Sequence, residues 1–334
     1  MVNLLKTPFL AVGAALLVPL LAVAQTNGYT GSQAPLSGQT PYQAMPGTVS
    51  YVEGHASIDG QPIGVGSLRS TRVAQGQTLT TGLDGKAEML LTPGVVFRLG
   101  SNSAARLVSP SLNNTQVELQ HGTAMVEVDQ IAKENHIVVM DHGSNIVLER
   151  KGLYSFNADQ PMVAVYDGKA STVLADKTKD VYKGEELMLQ AGAKTHSFDR
   201  KQEGDLYAWS SLRSQYLAQA NGNYLQNVAS YGYPWGWYGA GYYWDPYFDS
   251  WAFLPGAGYL YSPFGFPFYS PVYFGGFWGG GYHGFYGRPG YAYGRYGGLH
   301  GFAGAPAARV GGFGGGFHGG FGGGFHGGFA GGRR

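Results

Sequence analysis

Between residues 47 and 198 the apolar positions come in short, closely spaced runs separated by Gly, Asn, Asp and Pro. They are Thr48–Val52, Lys86–Leu91, Val95–Leu99, Gln116–Leu119, Thr123–Val128, His136–Met140, Asn145–Leu148, Leu153–Asn157, Met162–Tyr166, Ala170–Leu174 and Glu186–Gln190. Several alternate: in Ala124-Met125-Val126-Glu127-Val128 the Ala and both Val share one face and Glu127 the other, the period of a strand. Thr92-Pro93-Gly94 separates two runs, with Pro presetting φ and Gly accepting φ > 0, which predicts a tight reversal. Gly82-Leu83-Asp84-Gly85 predicts a second turn, and Asp167-Gly168 predicts a hairpin joining Val163–Tyr166 to Lys169–Val173. Many short strands at this spacing predict an all-β sandwich or β-roll of short antiparallel strands.

The period then changes. Leu206, Trp209, Leu212 or Arg213, Tyr216, Leu217 and Ala220 recur every three or four residues, which predicts one amphipathic helix over 199–221. Asp199 with Gln202 is placed to cap its start, and Asn221-Gly222 to stop it. Its apolar stripe is expected to pack on the β domain. From Gly222 to Arg334 the chain is dominated by Gly and aromatic residues, and the unit GGFGGGFH occurs at Gly311–His318 and again at Gly319–His326. Ordering so many glycines is entropically expensive, so this segment reads as a disordered, low-complexity tail. Tyr231–Phe277 is denser in Trp, Tyr and Pro and is where turns or a coat on the β domain would form.

Composition sharpens this division. The 334 residues include 56 Gly and 14% aromatic residues, but only 13% are charged, about half the usual ~25%. A net charge of +1 implies no polyelectrolyte partner. The absence of cysteine excludes disulfides, thiolate metal sites, a Cys nucleophile and a lipid anchor on Cys. Met1–Ala24 has one cation, Lys6, before an apolar run, and ends in Ala22-Val23-Ala24. That is the layout of a secretory signal peptide, the alternative being an uncleaved anchor. Residues 25–46 are rich in Gln, Thr, Ser, Gly and Pro and read as a flexible linker. The expected location is periplasmic or extracellular.

Four stretches form a recognisable set: Gly47-Thr48-Val49 with Val52-Glu53-Gly54; Gly76-Gln77-Thr78-Leu79-Thr80-Thr81-Gly82; Asp84-Gly85-Lys86-Ala87-Glu88; and Leu99-Gly100-Ser101-Asn102-Ser103. Over Gly47–Ala105 the chain resembles the FecR-type domain family, named for a periplasmic ferric-citrate signalling regulator. The resemblance implies a β domain that contacts other envelope proteins outside the inner membrane. In the type member it reports receptor occupancy to a sigma factor. Here a signal peptide stands where the anti-sigma segment and spanning helix would be, so only the recognition role carries over.

Candidate chemistry is sparse. Asp141-His142-Gly143-Ser144 sets an acid, an imidazole and a hydroxyl side by side, whereas a hydrolase needs them converging from separate elements. A polar turn is the expected reading. His55, His121, His136, His142, His196, His283, His300, His318 and His326 form no compact metal motif. The tail lacks a phosphate-loop signature, and five arginines (Arg288, Arg295, Arg309, Arg333, Arg334) are too few for a nucleic-acid partner. Asn113-Asn114-Thr115 matches a glycosylation sequon but reads as a loop. Tyr242-Tyr243-Trp244, Trp251-Ala252-Phe253 and the group Phe264, Phe266, Phe268 and Tyr269 offer rings for self-association or for stacking on sugars. No catalytic, cofactor-binding or metal-ligating residue is assigned, no cofactor is expected, and binding residues wait on strand registers. The expectation is a non-enzymatic module for an envelope protein or cell-wall glycan, its simplest mode strand addition at a sheet edge. The alternative is a structural protein whose tail drives weak self-association, assembly or surface contact.

Overall fold

A computed structural model describes residues 42–201, 203–231, 239–246 and 248–274. The leader, most of the linker and the tail beyond residue 274, with its repeat and with His283, His300, His318 and His326, lie outside the described residues.

The strands, in chain order, begin with β1 (Thr48–Glu53), β2 (Ala56–Ile58), β3 (Gln61–Pro62), β4 (Thr78–Thr81), β5 (Lys86–Leu90), β6 (Val95–Leu99) and β7 (Ala104–Ser111). Next come β8 (Asn114–His121), β9 (Thr123–Val128), β10 (His136–Asp141), β11 (Ser144–Leu148), β12 (Gly152–Asn157) and β13 (Met162–Asp167). The sandwich ends with β14 (Lys169–Leu174), β15 (Lys177–Tyr182), β16 (Glu185–Met188) and β17 (His196–Ser197). After the helix α1 (Asp205–Tyr231) follow β18 (Gly241–Asp245), β19 (Ser250–Leu254), β20 (Tyr259–Tyr261) and β21 (Pro267–Tyr269).

These strands form an eight-stranded sheet in the order β1-β5-β6-β9-β12-β13-β16-β17 and a nine-stranded sheet in the order β15-β14-β11-β10-β8-β7-β4-β2-β3. Neighbours are antiparallel except β8 and β10. The inner faces supply one continuous core, with Met89, Phe97, Val126 and Phe156 from the first sheet against Leu107, Val117, Val139 and Ile146 from the second. The fold is therefore all-β with one long helix, a sandwich as the alternation predicts.

Two of the expected turns are present and one expected hairpin needs correction. β5 and β6 do form a hairpin over Thr92-Pro93-Gly94, where Gly94 has φ +82°. The hairpin expected at Asp167-Gly168 is instead a corner: β13 pairs with β12 and β16, β14 with β11 and β15, in different sheets. Tyr154 fixes this corner by donating its hydroxyl to the Arg150 carbonyl at 2.5 Å and accepting from the Lys169 amide at 3.2 Å. Gly82–Gly85 likewise is a turn, with Gly85 N donating to Gly82 O at 3.0 Å, but it carries the chain from the nine-stranded sheet to the eight-stranded one. A dipeptide encodes the reversal; which neighbour each strand then finds depends on burial of both faces.

The helix begins six residues later and ends ten residues later than expected over 199–221. Asp199 accepts from Lys201 N at 3.0 Å rather than capping the helix. Asn221 does not end it because its side chain is buried and bonded elsewhere: Nδ2 donates to Phe253 O at 2.8 Å and Tyr269 O at 2.9 Å, and Oδ1 accepts from Tyr269 N at 3.0 Å. The segment read as tail from Gly222 also changes. Its described residues, 222–231, 239–246 and 248–274, continue α1 and add two hairpins, of which β18–β19 is buried on both faces. One face carries Tyr242, Trp244, Trp251 and Phe253 against Leu90 and Val96 of the first sheet; the other carries Tyr243, Ala252 and Leu254 against Tyr224 and Leu225 of α1. The end of the supposed linker is part of this layer, since Ala44 N donates to Tyr242 O at 2.8 Å and Trp244 N to Tyr42 O at 2.9 Å. Aromatic burial here, at 150–250 Å² per ring, outweighs a Gly content that by composition alone argued for disorder.

Candidate binding cleft

The outer face of the eight-stranded sheet is unusual because it is charged and covered. Glu88 on β5, Arg98 on β6 and Glu127 on β9 are fully buried. Arg98 Nε meets Glu88 Oε2 at 2.9 Å and Nη1 meets Glu127 Oε2 at 2.5 Å. From α1, Arg213 Nη2 reaches Glu88 Oε1 at 3.0 Å and Ser214 Oγ donates to Glu127 Oε1 at 2.6 Å; Ser50 Oγ on β1 completes Glu88 at 2.8 Å. Burial opposes the Glu88 charge, but the Arg213 and Arg98 guanidiniums outweigh it and hold the carboxyl down to about 2. Burial and the adjacent Glu127 push Asp129 well above the ordinary carboxylate range, which favours its protonated form. Arg98 Nη2, Asp129 Oδ1 and the Tyr242 hydroxyl are buried with no partner among the described residues. Two further bonds tie the start of α1 to the sheet: Lys86 Nζ to Asp205 at 2.9 Å, and Trp209 Nε1 to Glu53 at 2.7 Å.

A cleft of ≈ 460 Å³ opens where this layer meets β1, within the ~300–1,000 Å³ usual for small-ligand sites. One wall is the α1 face bearing Arg213, Tyr216, Gln219 and Asn223, residues set three or four apart and so aligned. A second wall is Phe248, Asp249 and Trp251 from the β18–β19 connection; Tyr51 and Arg69 complete the lining. The Arg213 guanidinium lies 3.9 Å from the Tyr51 ring centroid and is pinned by Glu88. Arg69 sits 5.6 Å from the Trp244 ring and 5.7 Å from that of Tyr42. Tyr216 and Phe248 are 45% and 54% exposed, so rings and polar groups face solvent together.

The other sequence candidates fall elsewhere. Asp141–Ser144 is the turn joining β10 to β11, with Asp141 opposite Ser144 and φ of +46° and +76° at His142 and Gly143. His142 Nδ1 bonds its neighbour Asp141 at 2.6 Å, a local contact that accounts for the trio. Asn113-Asn114 is the exposed turn between β7 and β8. Among the described residues no three His, Cys, Asp or Glu side chains converge. Of the rings read as stickers, Tyr242, Tyr243, Trp244, Trp251, Phe253 and Phe268 are buried, and Phe264, Phe266 and Tyr269 are half-buried. Sheet edges offer little for strand addition. β3 and β17 have two residues each, β1 is flanked by Val49 N donating to Thr71 O, and the one long edge, β15, carries Lys177, Lys179 and Asp180, a pattern that discourages pairing.

Residues 77–171 match the FecR protein family. The FecR-type segment thus spans β4 to β14, the centre of the sandwich, and supplies Glu88, Arg98 and Glu127. The whole cleft lining, from Ser50 to Arg69 and from Arg213 to Trp251, lies outside it. No curated protein matches the chain. Two crystal structures of a candidate anti-sigma factor from Parabacteroides distasonis are similar at 14% identity and TM-score 0.33, over 43% of this chain and 64% or 65% of theirs. This chain therefore spans just under two thirds of their length.

The cleft residues escaped sequence reasoning because they come from separated segments. The available signal is Tyr216: its spacing puts it on the apolar stripe, yet Ser214 takes the buried position, Arg213 is half-buried, and Leu212 and Tyr216 face out.

Proposed function

We propose that this protein is an exported, non-enzymatic recognition module that binds a component of the cell envelope. The observation that carries this reading is an open, ring-lined cleft beside a FecR-type segment. Export rests on the leader pattern of Met1–Ala24, and the envelope partner on the FecR resemblance. Binding is assigned to the cleft rather than a strand edge, because the edges are short, flanked or lysine-bearing. The competing reading, assembly driven by aromatic stickers, loses Tyr242, Tyr243, Trp244, Trp251, Phe253 and Phe268 to the interior and rests mainly on residues beyond 274.

The test compares the mature chain with a form ending at residue 274 in capture from an envelope extract. The same saturable partner on both forms is expected. Capture by the longer form alone, together with its self-association, would transfer the function to the tail. Capture by neither form, with no assembly, overturns the recognition reading.

A further inference from the structure

The ligand class of this cleft follows from which of its polar groups are already spent. Arg213 is committed to Glu88. Arg69 has no carboxylate partner and Asp249 no cationic one among the described residues. The side-chain amides of Gln219 and Asn223 make no hydrogen bond among the described residues. Trp251, 2% exposed, lines the cleft with its Nε1 unpartnered, and Arg213 Nε is likewise buried and unspent. The cleft therefore offers a donor (Arg69), an acceptor (Asp249) and groups that do both (Gln219, Asn223).

We infer that the cleft binds a short neutral oligosaccharide, stacked on Tyr216 and Phe248 with its hydroxyls on Arg69, Asp249, Gln219 and Asn223; this rests on the recognition reading above. A hydroxyl donates and accepts at once, so it satisfies a mixed set that a simple ion cannot. An anionic ligand would meet Asp249 and a cationic one Arg69, each left desolvated against like charge. A peptide would need an unpaired backbone ladder, but the neighbouring edge of β1 is engaged: Val49 N donates to Thr71 O at 2.9 Å and Val73 N to Gly47 O at 2.8 Å. Aromatic rings present a negative face, which suits the polarised C–H groups of a pyranose. Tyr216 and Phe248 are the cleft rings left most exposed.

The test is calorimetric titration of the mature full-length chain with cellotetraose, with the tetrasaccharide of N-acetylglucosamine and with a galacturonic-acid tetrasaccharide. Trp fluorescence gives a second readout, since Trp244 and Trp251 line the site. Saturable binding of at least one neutral sugar is expected, little changed by salt because no net charge is neutralised. Tyr216→Ala or Arg69→Ala should weaken it about tenfold, while Tyr259→Ala, an exposed ring outside the cleft, should leave it unchanged. The inference is overturned by no saturable binding, by tighter binding of the acidic sugar, by equal loss in Tyr259→Ala, or by displacement of the sugar with an acidic peptide of higher affinity. If the sugars fail while envelope capture persists, the glycan assignment falls and the recognition reading stands. If sugar binds and capture of a protein fails, the ligand stands and the protein-partner reading falls.

Discussion

Asn221 in the middle of α1 bonds both the amide and the carbonyl of Tyr269 in β21, at 3.0 and 2.9 Å. The same side chain holds Phe253 O of β19 at 2.8 Å, so one buried residue joins the helix to both C-terminal hairpins. Asn221→Ala removes three bonds from backbone groups in a buried place. At about 1 kcal/mol or more for each polar group left short of a partner, a loss of roughly 3 kcal/mol is expected in chemical denaturation. Asn221→Asp keeps the acceptor but loses both donations and adds a buried charge, and is expected to be worse. An equal or higher midpoint for either variant would show that the pin is dispensable.

The charged seam behaves as a unit. Arg98→Met leaves Glu88 and Glu127 facing each other in the interior and is expected to cost about 3–5 kcal/mol. Neutralising both acids in the same chain, with Glu88→Gln and Glu127→Gln, should recover part of that loss. Tyr242→Phe is different: its hydroxyl is buried and unpartnered, so the substitution should be neutral or stabilising by about 1 kcal/mol. Marked destabilisation by Tyr242→Phe would mean that a bound water satisfies the hydroxyl.

Two buried carboxyls give stability opposite dependences on pH. Glu88 titrates at about 2 in the folded chain against 4.5 unfolded. Its contribution is present above the unfolded value and is lost as pH falls from about 4.5 toward 2. Asp129 is raised from 3.8 by burial and Glu127. Its contribution is complete below 3.8 and is lost as pH rises through the folded value. Asp129→Asn imitates the protonated form, so its advantage in melting temperature should grow as pH rises above 3.8. An unchanged pH dependence would place the proton elsewhere.

Gly168 is the corner between β13 and β14. It has φ +99°, and a Cβ there would lie 2.3 Å from the Tyr154 hydroxyl. Gly168→Ala combines a disfavoured backbone with a displaced Tyr154, and should cost about 2 kcal/mol or more. Urea denaturation with an unchanged m-value would check it; a change below about 0.5 kcal/mol would refute the steric account.

The layer from 205 to 269 covers Leu90, Val96 and the ion seam. A chain ending at residue 204 exposes that face. It should bind a hydrophobic dye and exchange the amides of β5, β6 and β9 faster than the chain ending at residue 274. Equal protection in both would mean that the sandwich is self-sufficient.

The local pattern determined a great deal. Val95–Leu99 and Thr123–Val128 stand as strands with the bounds that their sequence predicts, because a short apolar run bounded by turn residues is a local signal. The Pro-Gly reversal after β5 follows from φ preferences alone. β7 was overlooked because its Arg106, Ser109 and Pro110 blur the alternation, and it is paired on both sides by β4 and β8. Asp167-Gly168 determined a change of direction, but not that β13 and β14 enter different sheets. Only the tertiary structure decided that Glu88, Arg98 and Glu127 turn inward, that α1 meets them with Ser214 and Arg213, and that Tyr242 and Trp251 become a core. Each of these depends on a second surface arriving from a distant part of the chain. A buried charge is tolerable only when its partner is present, and a Gly-rich aromatic stretch folds only when its rings have a face to cover.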